Sequence, residues 1–128
     1  LLSHTSFGGR SSILTNEIKR AVNILDSEKR DFAYEGEMTV SVALDPEMKL
    51  LYPFSRLNSP ANILIMPDLA SAAISSRLLQ KLGGGTVIGP LLVGLSKPAQ
   101  IVRLDATVSD IVTDAVLAAH QAQNNSKK

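Results

Sequence analysis

Cysteine and tryptophan are absent from this 128-residue chain, and aromatic residues make up only 4% of it. Without cysteine there is no disulfide and no thiolate metal site, which fits a reducing compartment and a cytoplasmic protein. The few aromatics are not interleaved with basic residues, so no stacking platform for nucleobases is expected. An excess of one charge is lacking too: 13 Lys and Arg stand against 12 Asp and Glu, a formal charge of +1. That balance gives no electrostatic footprint for nucleic acid or for an anionic membrane surface. No apolar run reaches the roughly 20 residues of a bilayer span. The longest, Thr86 to Leu95, is interrupted by Gly89-Pro90 and Gly94, and no signal-peptide pattern is visible.

What is present is an ordinary globular composition, 45% hydrophobic, in a length that supports one core and not two. Leu1-Leu2-Ser3 reads as the tail of a buried strand entering a loop, the expectation for a fragment of a larger protein. After that loop, the sequence predicts a helix with Thr15 as N-cap and Glu17 in its first turn. Ile18, Ala21, Val22 and Leu25 recur at helical spacing, and Lys29-Arg30 suit its last turn. Phe32 to Glu35 is a short strand candidate, and Met38 to Leu51 holds one or two short helices around Asp45-Pro46. Asn62 to Met66 is the clearest strand, its four consecutive apolar residues suggesting burial on both faces. Asp68 then caps a helix from Leu69 to Leu82, stopped by Gly83-Gly84-Gly85. A strand region to Leu95, an extended piece from Gln100 to Arg103 and a helix from Val108 to about Gln121 complete the pattern. The expected fold is a soluble α/β layered sandwich, a mainly parallel sheet flanked by helices. It spans residues 1–122, with 123–128 as a polar tail.

Several motifs allow two readings. The triple glycine follows a helix, whereas a phosphate cradle precedes one, so it is a helix stop. The loop Ser6-Phe7-Gly8-Gly9-Arg10-Ser11-Ser12 precedes a helix; it is either a plain connection or an anion site built from backbone N–H groups and Arg10. His4 and His120 have no metal partners at ligand spacing. Thr107-Val108-Ser109-Asp110 has the spacing of a capping box, which by itself explains Asp110. The other reading makes Asp110 a carboxylate available as a base. The last helix is apolar around much of its circumference, which suggests a subunit interface.

Tyr34-Glu35-Gly36-Glu37-Met38, Ala61 to Leu69 (Ala-Asn-Ile-Leu-Ile-Met-Pro-Asp-Leu), Ile88 to Pro98 (Ile-Gly-Pro-Leu-Leu-Val-Gly-Leu-Ser-Lys-Pro) and Val108-Ser109-Asp110-Ile111-Val112 occur in that order. Together they resemble the C-terminal part of phosphotransacetylases (phosphate acetyltransferases). The flavour is closer still to the phosphotransacetylase-like domain of large bacterial NADP-dependent malic enzymes. The resemblance implies a cleft whose ligand-facing residues here include Ser6, Gly8, Arg10, Asn62, Pro67, Gly89, Pro90, Lys97, Arg103 and Asp110. In active relatives an aspartate at the position of Asp110 is taken as the base that deprotonates the CoA thiol. A Ser-Arg pair just upstream is replaced here by Arg103-Leu104, and Gln and Asp are replaced by Thr39 and Ser41. If the upstream piece is extended, moving the arginine by one residue aims it at the opposite face. The resemblance therefore implies a regulatory and oligomerising domain that responds to acetyl-CoA or an acetyl phosphate type ligand. It works with the remainder of its parent chain as a homo-oligomer. NADP and a divalent metal would belong to the malic enzyme region outside this segment. The alternative is the C-terminal part of a working phosphate acetyltransferase.

Overall fold

Ser12, not Thr15, starts the first helix. A computed structural model of the chain describes residues 1–125. In it, Ser12 is extended and its hydroxyl accepts the Thr15 backbone N–H at 3.2 Å. The Thr15 hydroxyl in turn accepts the Ser12 N–H at 2.8 Å, the reciprocal pairing of a capping box. Helix α1 therefore spans Ile13–Ser27, with no acid in its first turn. Either hydroxyl residue could cap; starting at Ser12 puts Thr15 one turn ahead of Ile18 and Val22, and all three are buried. Glu28 closes the helix through its N–H to the Leu25 carbonyl, 3.2 Å away. Lys29 and Arg30 thus lie beyond the last turn, where Arg30 pairs with Glu28.

The chain divides into two compact units, Leu1–Leu78 and the residues from Leu79 onward. In the first, Leu2 lies between two other segments. It forms a parallel bridge with Met38, and its N–H donates to the Ile65 carbonyl at 2.8 Å. Leu2, Met38 and Ala43 form the core, with Val42, Leu57, Leu64 and Met66 packed against it. Helix α2, Val40–Leu44, is followed by a 3-10 helix, Pro46–Leu50, as the Asp45-Pro46 break predicts. A clasp ties these pieces to α1: the Arg56 guanidinium reaches both Asp26 oxygens, at 2.5 and 3.2 Å, and the Tyr34 hydroxyl donates to Asp26 at 2.8 Å.

The expected sheet does not form a ladder among the described residues; the Leu2–Met38 bridge stands outside any strand. Segment 62–66 shows why. Leu64 and Met66 pack on the core, while Ile63 and Ile65 are exposed. Alternate residues of an extended chain point to opposite faces, so one face is covered here, where burial of both was expected.

Helix α3, Leu69–Leu82, follows the sequence closely. The Asp68 carboxylate accepts the Ser71 N–H at 2.8 Å, and Gly83 N–H closes on the Leu79 carbonyl at 2.8 Å. Gly84 then takes a positive φ of 64°, a conformation that favours glycine after a helix. In the second unit, helix α4 spans Val108–Asn125, past the expected end at Gln121. Of the expected polar tail, 126–128 lie outside the described residues. No helix among the described residues is long and apolar enough to cross a membrane.

Candidate functional site

The loop from Ser6 to Ser12 does meet an anion, but the anion belongs to the chain itself. Glu37 is 1% exposed. Its Oε1 accepts the Gly8 N–H at 3.1 Å and lies 3.2 Å from the Lys19 ammonium. Its carbonyl accepts the Phe7 N–H at 3.0 Å. Gly8 has a φ of 98° and Phe7 of 47°; the left-handed turn tips the Gly8 amide inward, a conformation that glycine adopts readily. The Ser6 hydroxyl accepts the Thr39 N–H at 2.9 Å, which places Thr39 under this loop. Arg10 is exposed and makes no ion pair among the described residues, and Ser41 is exposed as well. The loop thus has its amide satisfied internally, with a buried carboxylate where an external anion would sit.

Glu37 and its neighbour Glu35 are the functional-looking groups that sequence reasoning passed over. Glu35 is also buried and accepts the Arg56 backbone N–H at 2.9 Å. The signal was two acids flanking Gly36 beside an apolar stretch. Buried carboxylates need partners; Arg56 supplies one to Glu35, and the loop amide and Lys19 supply them to Glu37 Oε1, while Glu37 Oε2 is buried without a hydrogen-bond partner among the described residues. Asn62 is exposed and Pro67 half-buried, immediately ahead of the α3 cap.

In the second unit, Gly89, Arg103 and Asp110 come together around a cleft of about 270 Å³. Its other lining residues include Gln80, Lys81, Asp105, Thr107 and Asp114. Lys97 is exposed and Pro90 adjoins the lining at Gly89, but neither forms part of it. Arg103 stands in the same cleft as Asp110, against the expectation of opposite faces. The reason is local: residues 100–103 are not paired in a ladder and the chain turns at Leu104-Asp105, so strict alternation does not apply. Leu104 points outward, 109% exposed. The Arg103 guanidinium forks onto Asp105, Nε lying 2.8 Å from one carboxylate oxygen while a terminal nitrogen meets the other. Its remaining terminal nitrogen donates to Gln80 at 3.0 Å.

Asp110 is both a cap and a cleft residue. One oxygen accepts the Thr107 N–H at 2.8 Å and the Thr107 hydroxyl at 2.9 Å, while Thr107 Oγ1 accepts the Asp110 N–H at 3.2 Å. These bonds to the Thr107 backbone and hydroxyl, with Arg103 nearby, hold the Asp110 carboxyl below its usual range. Hydrogen bonds to the charged form favour that form. His120 contacts Asn124 within α4 at 3.0 Å. His4 is exposed, and among the described residues no cluster of His, Cys, Asp or Glu could hold a metal ion.

Comparison with known proteins gives this geometry a family. The phosphate acetyl/butaryl transferase model matches residues 1–119, and the chain belongs to that family. An NADP-dependent malic enzyme of Rhizobium meliloti (strain 1021) is 48% identical over 95% of this chain, which spans 16% of that protein. A phosphate acetyltransferase of Acetivibrio thermocellus is 33% identical over 96% of the chain, which spans 37% of it. The solved structure of the EutD phosphotransacetylase from Staphylococcus aureus superposes with a TM-score of 0.80 at 26% identity. That match covers 94% of this chain and 38% of the other. The fold is thus phosphotransacetylase-like, and in the malic enzyme relatives the matching segment is a small part of a longer chain.

Proposed function

We propose that residues 1–122 form the phosphotransacetylase-like regulatory domain of an NADP-dependent malic enzyme. The domain responds to acetyl-CoA, while the remainder of the parent chain oxidatively decarboxylates malate to pyruvate. NADP and a divalent metal serve that remainder. The observation that carries the reading is the condition of the two charged groups in the cleft. Arg103 is engaged by Asp105 and Gln80, and Asp110 is engaged by Thr107 as a helix cap. An ordinary aspartate is already more than about 4 pK units below a thiol. Capping lowers Asp110 further, which weakens it as the base for a CoA thiol. Similarity to malic enzymes at up to 48% identity supports the parent assignment.

In the assembled protein, we take the fold to be a layered sandwich, a mainly parallel sheet flanked by helices. The exposed apolar residues of α4, among them Val108, Ile111, Val112 and Val116, would be covered in a homo-oligomer. Ligand response needs acetyl-CoA to favour one of two conformations of that assembly. The test is malate-dependent NADPH formation by the full-length protein with and without acetyl-CoA. A change in rate is expected; no change at about millimolar acetyl-CoA, far above a typical micromolar ligand affinity, would remove the reading.

One observation favours a second reading, a working phosphate acetyltransferase. Asp110 and Arg103 line one cleft, and the Asp110 oxygen that Thr107 does not hold remains for chemistry.

A further inference from the structure

The cleft of the second unit holds more carboxylate than cation: Asp105, Asp110 and Asp114 against Lys81 and Arg103. Arg103 is the cation with a defined geometry. Its guanidinium presents two N–H groups to Asp105 in the planar fork that also fits a phosphoryl group. The counter-ion is close in sequence and lies on the solvent side, the Asp105 side chain being 69% exposed against 32% for Arg103. Gln80 fixes the third direction of the guanidinium at 3.0 Å, so the head group is held by its own chain on both sides.

We propose that Asp105 is an internal counter-ion that disarms Arg103, making the cleft reject the dianionic phosphoryl group that this guanidinium would otherwise seat. An oxyanion entering the cleft would have to displace a carboxylate already bound in the same fork. It would then face that carboxylate together with Asp110 and Asp114. The raised pKa of Arg103, caused first by its bonds to Asp105, agrees with a saturated guanidinium. Asp105 is thereby a specificity-determining residue. The inference rests on the reading of this cleft as ligand-facing, and it separates recognition of an acyl-CoA from recognition of phosphate.

The test is calorimetric titration of the full-length protein with inorganic phosphate and, separately, with acetyl phosphate. Asp105→Asn should bind one or both about fivefold more tightly than the unaltered protein, the scale of an exposed ion pair. The gain should disappear in the Arg103→Ala/Asp105→Asn double variant and should be absent in Asp105→Glu. Tightening for inorganic phosphate alone marks a free oxyanion as the rejected ligand. Tightening for acetyl phosphate marks the phosphoryl end of an acyl donor, and either result supports the proposal. Asp114→Asn, which lowers the negative charge without touching the fork, should change affinity less than about twofold, because the ion pair an oxyanion must displace is Arg103–Asp105.

Equal affinities in the unaltered protein and in an Asp105→Asn variant of unchanged Tm would overturn the proposal. So would an equal gain in Asp114→Asn, which would reduce the effect to net charge. NADPH formation with acetyl-CoA, measured on the same preparations, keeps the failures apart. An intact acetyl-CoA response with unchanged phosphate affinity removes this inference alone. A lost response with tightened phosphate binding removes only the regulatory reading.

Discussion

Both units of the chain expose large apolar residues, but among the described residues only the first also buries some. Residues 1–78 bury Leu2, Ile18, Val22, Met38 and Ala43, and even their acids, Glu35 and Glu37, are drawn inside with partners. Among the described residues from Leu79 onward none is buried; Leu82, Val93, Val108 and Val116 all stand exposed. A unit with a core keeps its own geometry, and there the Gly8 amide pairs with Glu37 and the Arg56 amide with Glu35. A unit without one presents its apolar side chains to whatever covers them, and large exposed apolar surface marks an interaction site. Architecture is therefore concentrated in the first unit, while the cleft lies in the second.

The largest effect that sharpens this contrast is on stability. Met38→Ala should destabilise by about 3 kcal/mol, because a fully buried side chain leaves a cavity. Val116→Ala in α4 should stay within about 0.5 kcal/mol. Urea unfolding of both variants checks the pair, and equal losses would break the contrast. Next, Glu37→Ala removes hydrogen bonds made by a charged group to Gly8 and Lys19 and should cost about 2 kcal/mol. Faster proteolysis within residues 6–12 should accompany the loss, since the loop amide loses its partner. A smaller effect, about 1 kcal/mol, is expected for Ser12→Ala, read from the same unfolding curves.

The smallest effect concerns pH and compares one cap from each unit. The Asp68 and Asp110 carboxyls are both held below the usual aspartate range, first by the backbone N–H groups of Ser71 and Thr107 respectively. A depressed folded pKa means stability that is fully present above the unfolded value. It is lost as the pH falls through the folded one. The window is thus below about pH 4, the ordinary range of aspartate. Carboxyl carbon NMR titration should show both groups titrating below that range. Thr107→Ala should return Asp110 toward it and leave Asp68 unmoved.

Legibility in the sequence followed the range of the forces involved. Asp68 and the Gly83–Gly85 stop placed α3 correctly because capping is local, and the Thr107–Asp110 box could be read from spacing alone. The start of α1 was misplaced by three residues. Ser12 and Thr15 are both competent caps, and only burial of Thr15 decides between them. The sheet was expected from apolar runs such as 62–66, but ladders depend on partners distant in sequence, which spacing cannot supply. In the candidate cleft, Gly89, Arg103 and Asp110 were named from family segments. Asp105 was not, since an acid two residues from an arginine looks like an ordinary solvated pair. Glu37 was hidden for the opposite reason: its role depends on a loop 29 residues away.

In the proposed reading, Arg103 is tied up by Asp105 and Gln80 and Asp110 by Thr107, and the cleft does not run a transferase reaction. Acetyl phosphate formation from acetyl-CoA and inorganic phosphate by the full-length protein tests it most directly. We expect no product above the uncatalysed background. Turnover that vanishes in Asp110→Asn would contradict the claim and establish the transferase reading.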